Sequence, residues 1–314
     1  MSNPPGSIGR RGTDTTGTRR YAFYPGCTLH STGVEFGVST ELVCDALGLE
    51  MVEIPDWNCC GASSAHSMDA TLFLALPARN LAQAQKAGPD TLAIPCAACY
   101  SRLAAADLAL RDDAGFRAQM EAQLAFRYEG RVQPRNLLDV VANDVSTEAL
   151  RAKVVRPLEG LKVVSYYGCL LIRPPEYTSR WDDPEHPQTM DHVVELMGAE
   201  AVPWSWGVDC WGGSMTLNRS DIVVHLVDKL ARAAHEAGAD ALVTACPMCM
   251  ANVDGRQKYR GGAPFPRPEK PDYQPLPIFY FTELIAMAYG LPMQKVLGKH
   301  LVDPRPLLRR LELV

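Results

Sequence analysis

The sequence predicts an α/β protein made of two copies of one domain, each a small parallel sheet with helices on its faces. Three observations predict it. Nine of the ten cysteines fall into two series that run in the same order. The segments around those cysteines match between the halves, as "YAFYPGC" matches "VVSYYGC". Short apolar runs alternate with helical patterns through both halves, as strands and crossover helices do in a parallel sheet. A chain of 314 residues suits two domains of ordinary size.

Each copy opens with an apolar run, 21–24 and 163–167, that ends at Gly-Cys and reads as a buried strand. Helical patterns follow at 34–47 and 190–197, then short runs at 51–54 and 200–203. After the central cysteines comes a longer helix in each copy, 71–86 and 222–236, closed by Ala-Gly. Strands at 91–94 and 241–244 lead into a Cys-x-x-Cys that starts another helix. Cys27, Cys96, Cys169 and Cys246 therefore all follow strands directly, at the sheet edge where α/β proteins gather ligands. The expected organisation is a flexible tail over residues 1–20, a first domain over 21–150 and a second over 151–314, with the join in the polar stretch 143–160. The Pro- and Asp-rich segment 172–188 reads as a loop inserted in the second copy.

Composition narrows the function. A net charge of −5 excludes the broad basic face of a nucleic-acid binder. Residues 1–20 lack the apolar stretch of a secretory signal, and the most apolar segment, 276–293, is short for a membrane span and reads as a buried strand then helix. These features predict a cytoplasmic protein, whose thiols stay reduced and serve as ligands or redox groups.

The first series is Cys27, Cys59-Cys60 and Cys96-x-x-Cys99; the second is Cys169, Cys210 and Cys246-x-x-Cys249. Thirty-five residues separate Cys60 from Cys96, and thirty-five separate Cys210 from Cys246. A disulfide framework fits poorly, because adjacent cysteines bridge only with strain. A thioredoxin-like dithiol at Cys96 and Cys99 leaves three cysteines without a role. Zinc takes about four ligands, which the second copy offers, whereas the first offers five; iron–sulfur clusters can share thiolates between irons. Cys44 stands outside both series, in a helical pattern, and reads as an inert buried thiol. His30 and His66 follow cysteines closely and read as loop residues, while His186 and His192 read as surface residues of the insertion. Arg102 and Arg173, near Cys99 and Cys169, could steer an anionic thiol but read as solvated.

The motifs "CCG…PCAACYSRL" and "CWGG…CPMCMANVD" resemble the two CCG cysteine-rich domains of the heterodisulfide reductase B subunit, over nearly the whole chain after residue 20. Related domains occur in succinate dehydrogenase-like and in lactate- and glycolate-oxidising systems. The resemblance implies two pseudo-symmetric Rossmann-like CCG domains with metal sites at the strand C-terminal ends. It implies that Cys27, Cys59, Cys60, Cys96 and Cys99 are the catalytic set holding a noncubane [4Fe–4S] cluster. Cys169, Cys210, Cys246 and Cys249 would hold the second cofactor. It further implies two partners, a C-type iron–sulfur protein and an A-type flavoprotein, and a thiol, disulfide or persulfide substrate, small or protein-bound.

The second copy departs from that pattern. Either Trp211 replaces Cys60, aligning Cys-Trp-Gly on Cys-Cys-Gly, or the equal thirty-five-residue gaps set Asp209-Cys210 on Cys59-Cys60. Both registers lose one thiolate. The expectation is an ordinary cubane [4Fe–4S] cluster in the second domain, with zinc as its competitor, and Trp204, Trp206 and Trp211 forming an apolar wall that packs or shapes the substrate. The loss resembles the heterodisulfide reductase-like complexes of sulfur oxidisers. Rival expectations are a component of a lactate, glycolate or succinate oxidoreductase and a docking protein without catalysis.

Overall fold

The computed structural model of the protein describes residues 18–62, 65–257 and 273–313, apart from the side chains of His66 and Ser67. The tail expectation lies outside the described residues, save for the last residues of the tail; His66, read as a loop residue, falls instead in the short helix Ala65–Met68.

Two four-stranded parallel sheets form, in the orders β2-β1-β3-β4 and β6-β5-β7-β8. The first comprises β1 (Arg19–Phe23), β2 (Leu49–Glu53), β3 (Thr91–Ile94) and β4 (Gln133–Asn136). The second comprises β5 (Lys162–Tyr166), β6 (Glu200–Ala201), β7 (Ala241–Thr244) and β8 (Ile278–Tyr280). The interior strands β3 and β7 are continuous apolar runs, as a central parallel strand covered on both faces requires: Leu92, Ala93 and Ile94 in β3, and Ala241, Leu242 and Val243 in β7, are fully buried. β4 carries Pro134 and sits at an edge, where a missing N–H costs no ladder bond.

In both sheets the chain order reverses between the two inner strands, β1/β3 and β5/β7. That switch point opens a crevice at the strands' C-terminal ends, and every cysteine series begins and ends there. The helices match the sequence pattern closely: Val34–Leu47, Ala70–Ala87, Thr189–Leu196 and Ser220–Glu236. The apolar segment near the C-terminus is a strand followed by the helix Phe281–Ala288. Among the described residues no helix is long and apolar enough to cross a membrane.

One reading needs correction. β6 ends at Ala201, not at Pro203; Val202 still donates its N–H to the Val163 carbonyl at 2.7 Å, and proline then has none to give. The polar stretch 143–160, where the join was expected, contains the helix Thr147–Ala152, capped by the Ser146 side chain.

The two halves share one core. Phe36 stacks on Tyr280 with centroids 4.1 Å apart, and the hydroxyls of Ser39 and Thr282 lie 2.7 Å apart. The insertion packs onto the first half, where the Tyr100 hydroxyl donates to the Thr178 carbonyl at 2.9 Å. This seam sets the C-terminal ends of the two sheets against each other.

Candidate functional site

Each Gly-Cys after a central strand turns through a left-handed glycine. Gly26 has φ +69° and Gly168 has φ +64°; a Cβ there would stand 3.2 Å from Cys99 Sγ and 3.0 Å from Cys249 Sγ. Glycine is thus needed twice over, for the turn and for the close approach of backbone to sulfur. Cys96 is the N-cap of the helix Ala97–Asp112, and Cys246 immediately precedes the helix Pro247–Gln257 with proline at its first position.

The central loops are held alike. Tyr24 donates its hydroxyl to the Asn58 carbonyl at 2.8 Å, and Tyr166 donates to the Asp209 carbonyl at 2.7 Å. Gly61 and Gly212 both adopt positive φ. Cys60 Sγ lies 3.2 Å from Cys99 Sγ, and Trp211 Nε1 donates to Cys249 Sγ at 3.2 Å. Cys59 lies beside Cys27, as Cys210 lies beside Cys169, each pair close enough to shift the other's proton affinity. These paired contacts decide the register: Cys210 stands for Cys59 and Trp211 for Cys60. The equal thirty-five-residue gaps mislead, because the connection in the second copy has lost one residue. Asp209 contributes its carbonyl to the turn, and its side chain is exposed.

The structure brings all nine predicted cysteines to the seam. The neighbours run Cys27–Cys59–Cys60–Cys99–Cys96 in the first domain and continue from Cys96 to Cys246 and on to Cys249 in the second. Cys60, Cys96, Cys99, Cys246 and Cys249 form the buried floor, while Cys27, Cys59 and Cys210 are exposed at the mouth. Among the described residues no three or more Cys, His, Asp or Glu side chains are disposed to hold one metal ion; the sulfurs follow one another pairwise instead. Cys44 is buried elsewhere in its helix, and burial pushes its thiol up to about 12, consistent with an inert role.

The sulfurs share protons unequally. The Cys27 hydrogen bond, followed by that of Cys60, pulls Cys59 far below the usual thiol range. The Cys169 hydrogen bond pulls Cys210 to about 5 against burial, helped by the backbone N–H groups of Gly212 and Gly213. Their partners are pushed up, Cys27 by the bond to Cys59 and Cys169 by the bond to Cys210, each with burial adding to it. Thiolates this crowded repel one another unless a cation or electrophilic metal lies among them. A donor set of sulfur alone suits iron–sulfur chemistry, and the two glycine turns leave room for sulfur to approach backbone.

Arg102 overturns the solvated reading. Its guanidinium sits 4.5 Å over the Phe73 ring, and its Nε is buried without a hydrogen-bond partner among the described residues. Burial pulls its pKa down, opposed by Tyr177 and Cys169 across the seam and by Cys60 in its own domain. Arg173 turns away into the insertion, paired with Glu185 at 2.6 Å and bonded to the Pro184 carbonyl. His30 is exposed and stacks on Trp57, while His186 and His192 are exposed as expected. Trp204 ties its indole N–H to the Ser165 carbonyl at 2.9 Å.

Sequence reasoning missed several supports. Asn80 is fully buried and brackets the CCG loop: its Nδ2 donates to the Asn58 carbonyl and its Oδ1 accepts from the Asn58 N–H, both at 2.9 Å. The signal was a lone asparagine inside an apolar helical pattern. Tyr24 and Tyr166 were visible as the same residue at the same place in both copies. Tyr280, whose buried hydroxyl has no partner among the described residues and lies near Cys246 and Cys96, gave no local signal.

A family model described as a cysteine-rich domain, CCG, matches residues 21–104 and 163–254, over half of the chain. The chain is 28% identical over 278 residues to the B subunit of a ferredoxin/F420H2-dependent CoB-CoM heterodisulfide reductase of Methanosarcina acetivorans, covering 86% of this chain and 89% of that protein. The chain belongs to the family of heterodisulfide reductase B subunits. This member is also similar to the 8-methylmenaquinol:fumarate reductase membrane anchor subunit of Wolinella succinogenes, with 30% identity over 289 residues, 91% of this chain and 98% of that one. A crystal structure of a hypothetical protein from Helicobacter pylori shares the fold, at a TM-score of 0.66 and 15% identity over 96% of this chain. The heterodisulfide reductase-like chain spans about half of that structure's length, 53%. Between its own two copies, the second differs from the first in carrying Trp211 where Cys60 stands.

Proposed function

We propose that this B-type chain is the iron–sulfur subunit of a heterodisulfide reductase-like complex, acting on disulfide, thiol or persulfide sulfur in the cytoplasm. The observation that carries the reading is the convergence of nine thiols from two domains on one seam, joined through Cys96 and Cys246. Cys27, Cys59, Cys60, Cys96 and Cys99 hold a noncubane [4Fe–4S] cluster in the first domain. Cys169, Cys210, Cys246 and Cys249 hold a cubane [4Fe–4S] cluster, or zinc, in the second. Bound there, the clusters supply or accept single electrons, two of which, with two protons, interconvert a disulfide and two thiols. The chain's own residues do the rest. The exposed mouth of Cys27, Cys59 and Cys210 admits a sulfur substrate, and Arg102, lacking a carboxylate partner among the described residues, holds it as an anion. The buried floor excludes water. Electrons pass through the second domain to a C-type iron–sulfur protein and an A-type flavoprotein.

Iron and acid-labile sulfide analysis with EPR on anaerobically prepared protein tests this. The expected result is two unlike signals, one of which changes on adding a disulfide or persulfide. Iron-free protein, or two identical noncubane signals, contradicts it. The similarity to a fumarate reductase component favours a second reading, a relay in an organic-acid oxidoreductase. In that case a quinol changes the spectrum and a disulfide does not.

A further inference from the structure

The two halves present corresponding frames to their sulfurs and differ in the group that meets the second cysteine of each Cys-x-x-Cys. In the first, the second cysteine of the Cys-x-x-Cys meets a thiol, Cys60, at 3.2 Å. In the second, it meets the indole N–H of Trp211 at the same distance. Trp211 is only 5% exposed and packs in the core, so it lines no substrate wall. Its Nε1–H is directed onto the buried sulfur of Cys249, itself packed against Gly168 and hydrogen-bonded to Cys246. The glycine donors correspond in part: Gly61 offers its N–H to Cys59, and Gly212 offers its own to Cys210 at 3.2 Å, with Gly213 adding a second there. The indole is the donor that the first domain lacks.

We infer that Trp211 is a positioning residue that sets the second site at a higher reduction potential than the first. Two effects act in one direction. Removing a thiolate lowers the negative charge around the site, and an N–H donated to a ligating sulfur stabilises the reduced, more negative state. Trp211 does both, since it fills the place where Cys60 stands and donates to Cys249. An electron lost on the first domain's side is gained on the second's, with no atom transferred, so the downhill path runs from first to second. This rests on the proposed iron–sulfur reading and gives it a polarity.

The test is an EPR-monitored redox titration of the anaerobic, iron-loaded full chain, with wild type compared to Trp211→Phe, which keeps an apolar ring and deletes the N–H. The expected result is a more negative midpoint for the second site alone, by about a tenfold change in its reduced-to-oxidised ratio, ~59 mV for a one-electron couple. An unmoved second midpoint, or equal movement of both, overturns the inference. Should the variant lose iron, wild type carrying tryptophan labelled with 15N in the indole serves instead. Pulsed EPR of its reduced second site should show the nitrogen coupling, and absence of the coupling refutes the contact. A wild-type second site without iron sinks the proposed function as well, which separates the two failures.

Discussion

Asn80→Leu should weaken the first sulfur site while sparing the second. Counting back eleven residues from Cys99 and from Cys249 reaches Gly88 and Gly238, which places the buried Leu230 at the position of Asn80 in the other copy. The substitution therefore gives the first copy the residue the second already carries, at nearly constant volume. It deletes two hydrogen bonds of 2.9 Å to the Asn58 backbone. The Asn58 carbonyl keeps Tyr24, but its N–H is left without its only partner among the described residues. An unsatisfied part-buried amide costs about 1–3 kcal/mol and the second bond about 1 kcal/mol, so a loss of about 2–3 kcal/mol is expected. Urea unfolding of the metal-free chain reads the stability, and EPR of the loaded chain reads the first-site signal. Its broadening or loss, with the second-site signal intact, is expected because the loop carries Cys59 and Cys60. A stability change within about 0.5 kcal/mol, or equal damage to both signals, would refute the assignment of Asn80 as the loop's bracket.

Other perturbations follow from the same structure. Gly26→Ala and Gly48→Ala share φ +69°, and each should cost about 1–2 kcal/mol for the left-handed backbone; only Gly26→Ala, whose Cβ would stand 3.2 Å from Cys99 Sγ, should also lower the iron content. Arg102→Gln should raise the half-saturating concentration of an anionic disulfide such as tetrathionate about tenfold, read from the spectral change, and leave a neutral disulfide unaffected. His300 is buried against Glu283 at 3.0 Å; burial pulls its pKa down and the carboxylate more than offsets this, holding it at about 9 against 6.5. A raised histidine pKa adds stability that is complete below about pH 6.5 and lost as pH rises through about 9. Urea midpoints should therefore fall between pH 7 and pH 10 in wild type, and Glu283→Gln should flatten that fall.

The sequence by itself determined the duplicated α/β plan, because strand and helix periods and the Gly-Cys and Ala-Gly punctuation are local properties. It also marked out the nine sulfurs that meet at the seam, since order and flanks repeat, and set Cys44 apart. β4 escaped it, because "QPRN" has no apolar run and is a strand only through pairing with β3. The register around Trp211 escaped it as well, because two alignments lost one thiolate each. Paired tertiary contacts distinguished them, such as the Tyr24 and Tyr166 hydroxyls reaching equivalent carbonyls. Arg102 read as solvated until Phe73 and the second domain's Cys169 closed around it. The meeting of Cys96 with Cys246 was likewise a tertiary decision. A chain encodes periodicity and donor types within a few residues, whereas burial, electrostatic surroundings and the approach of two domains arise from contacts across a hundred residues or more.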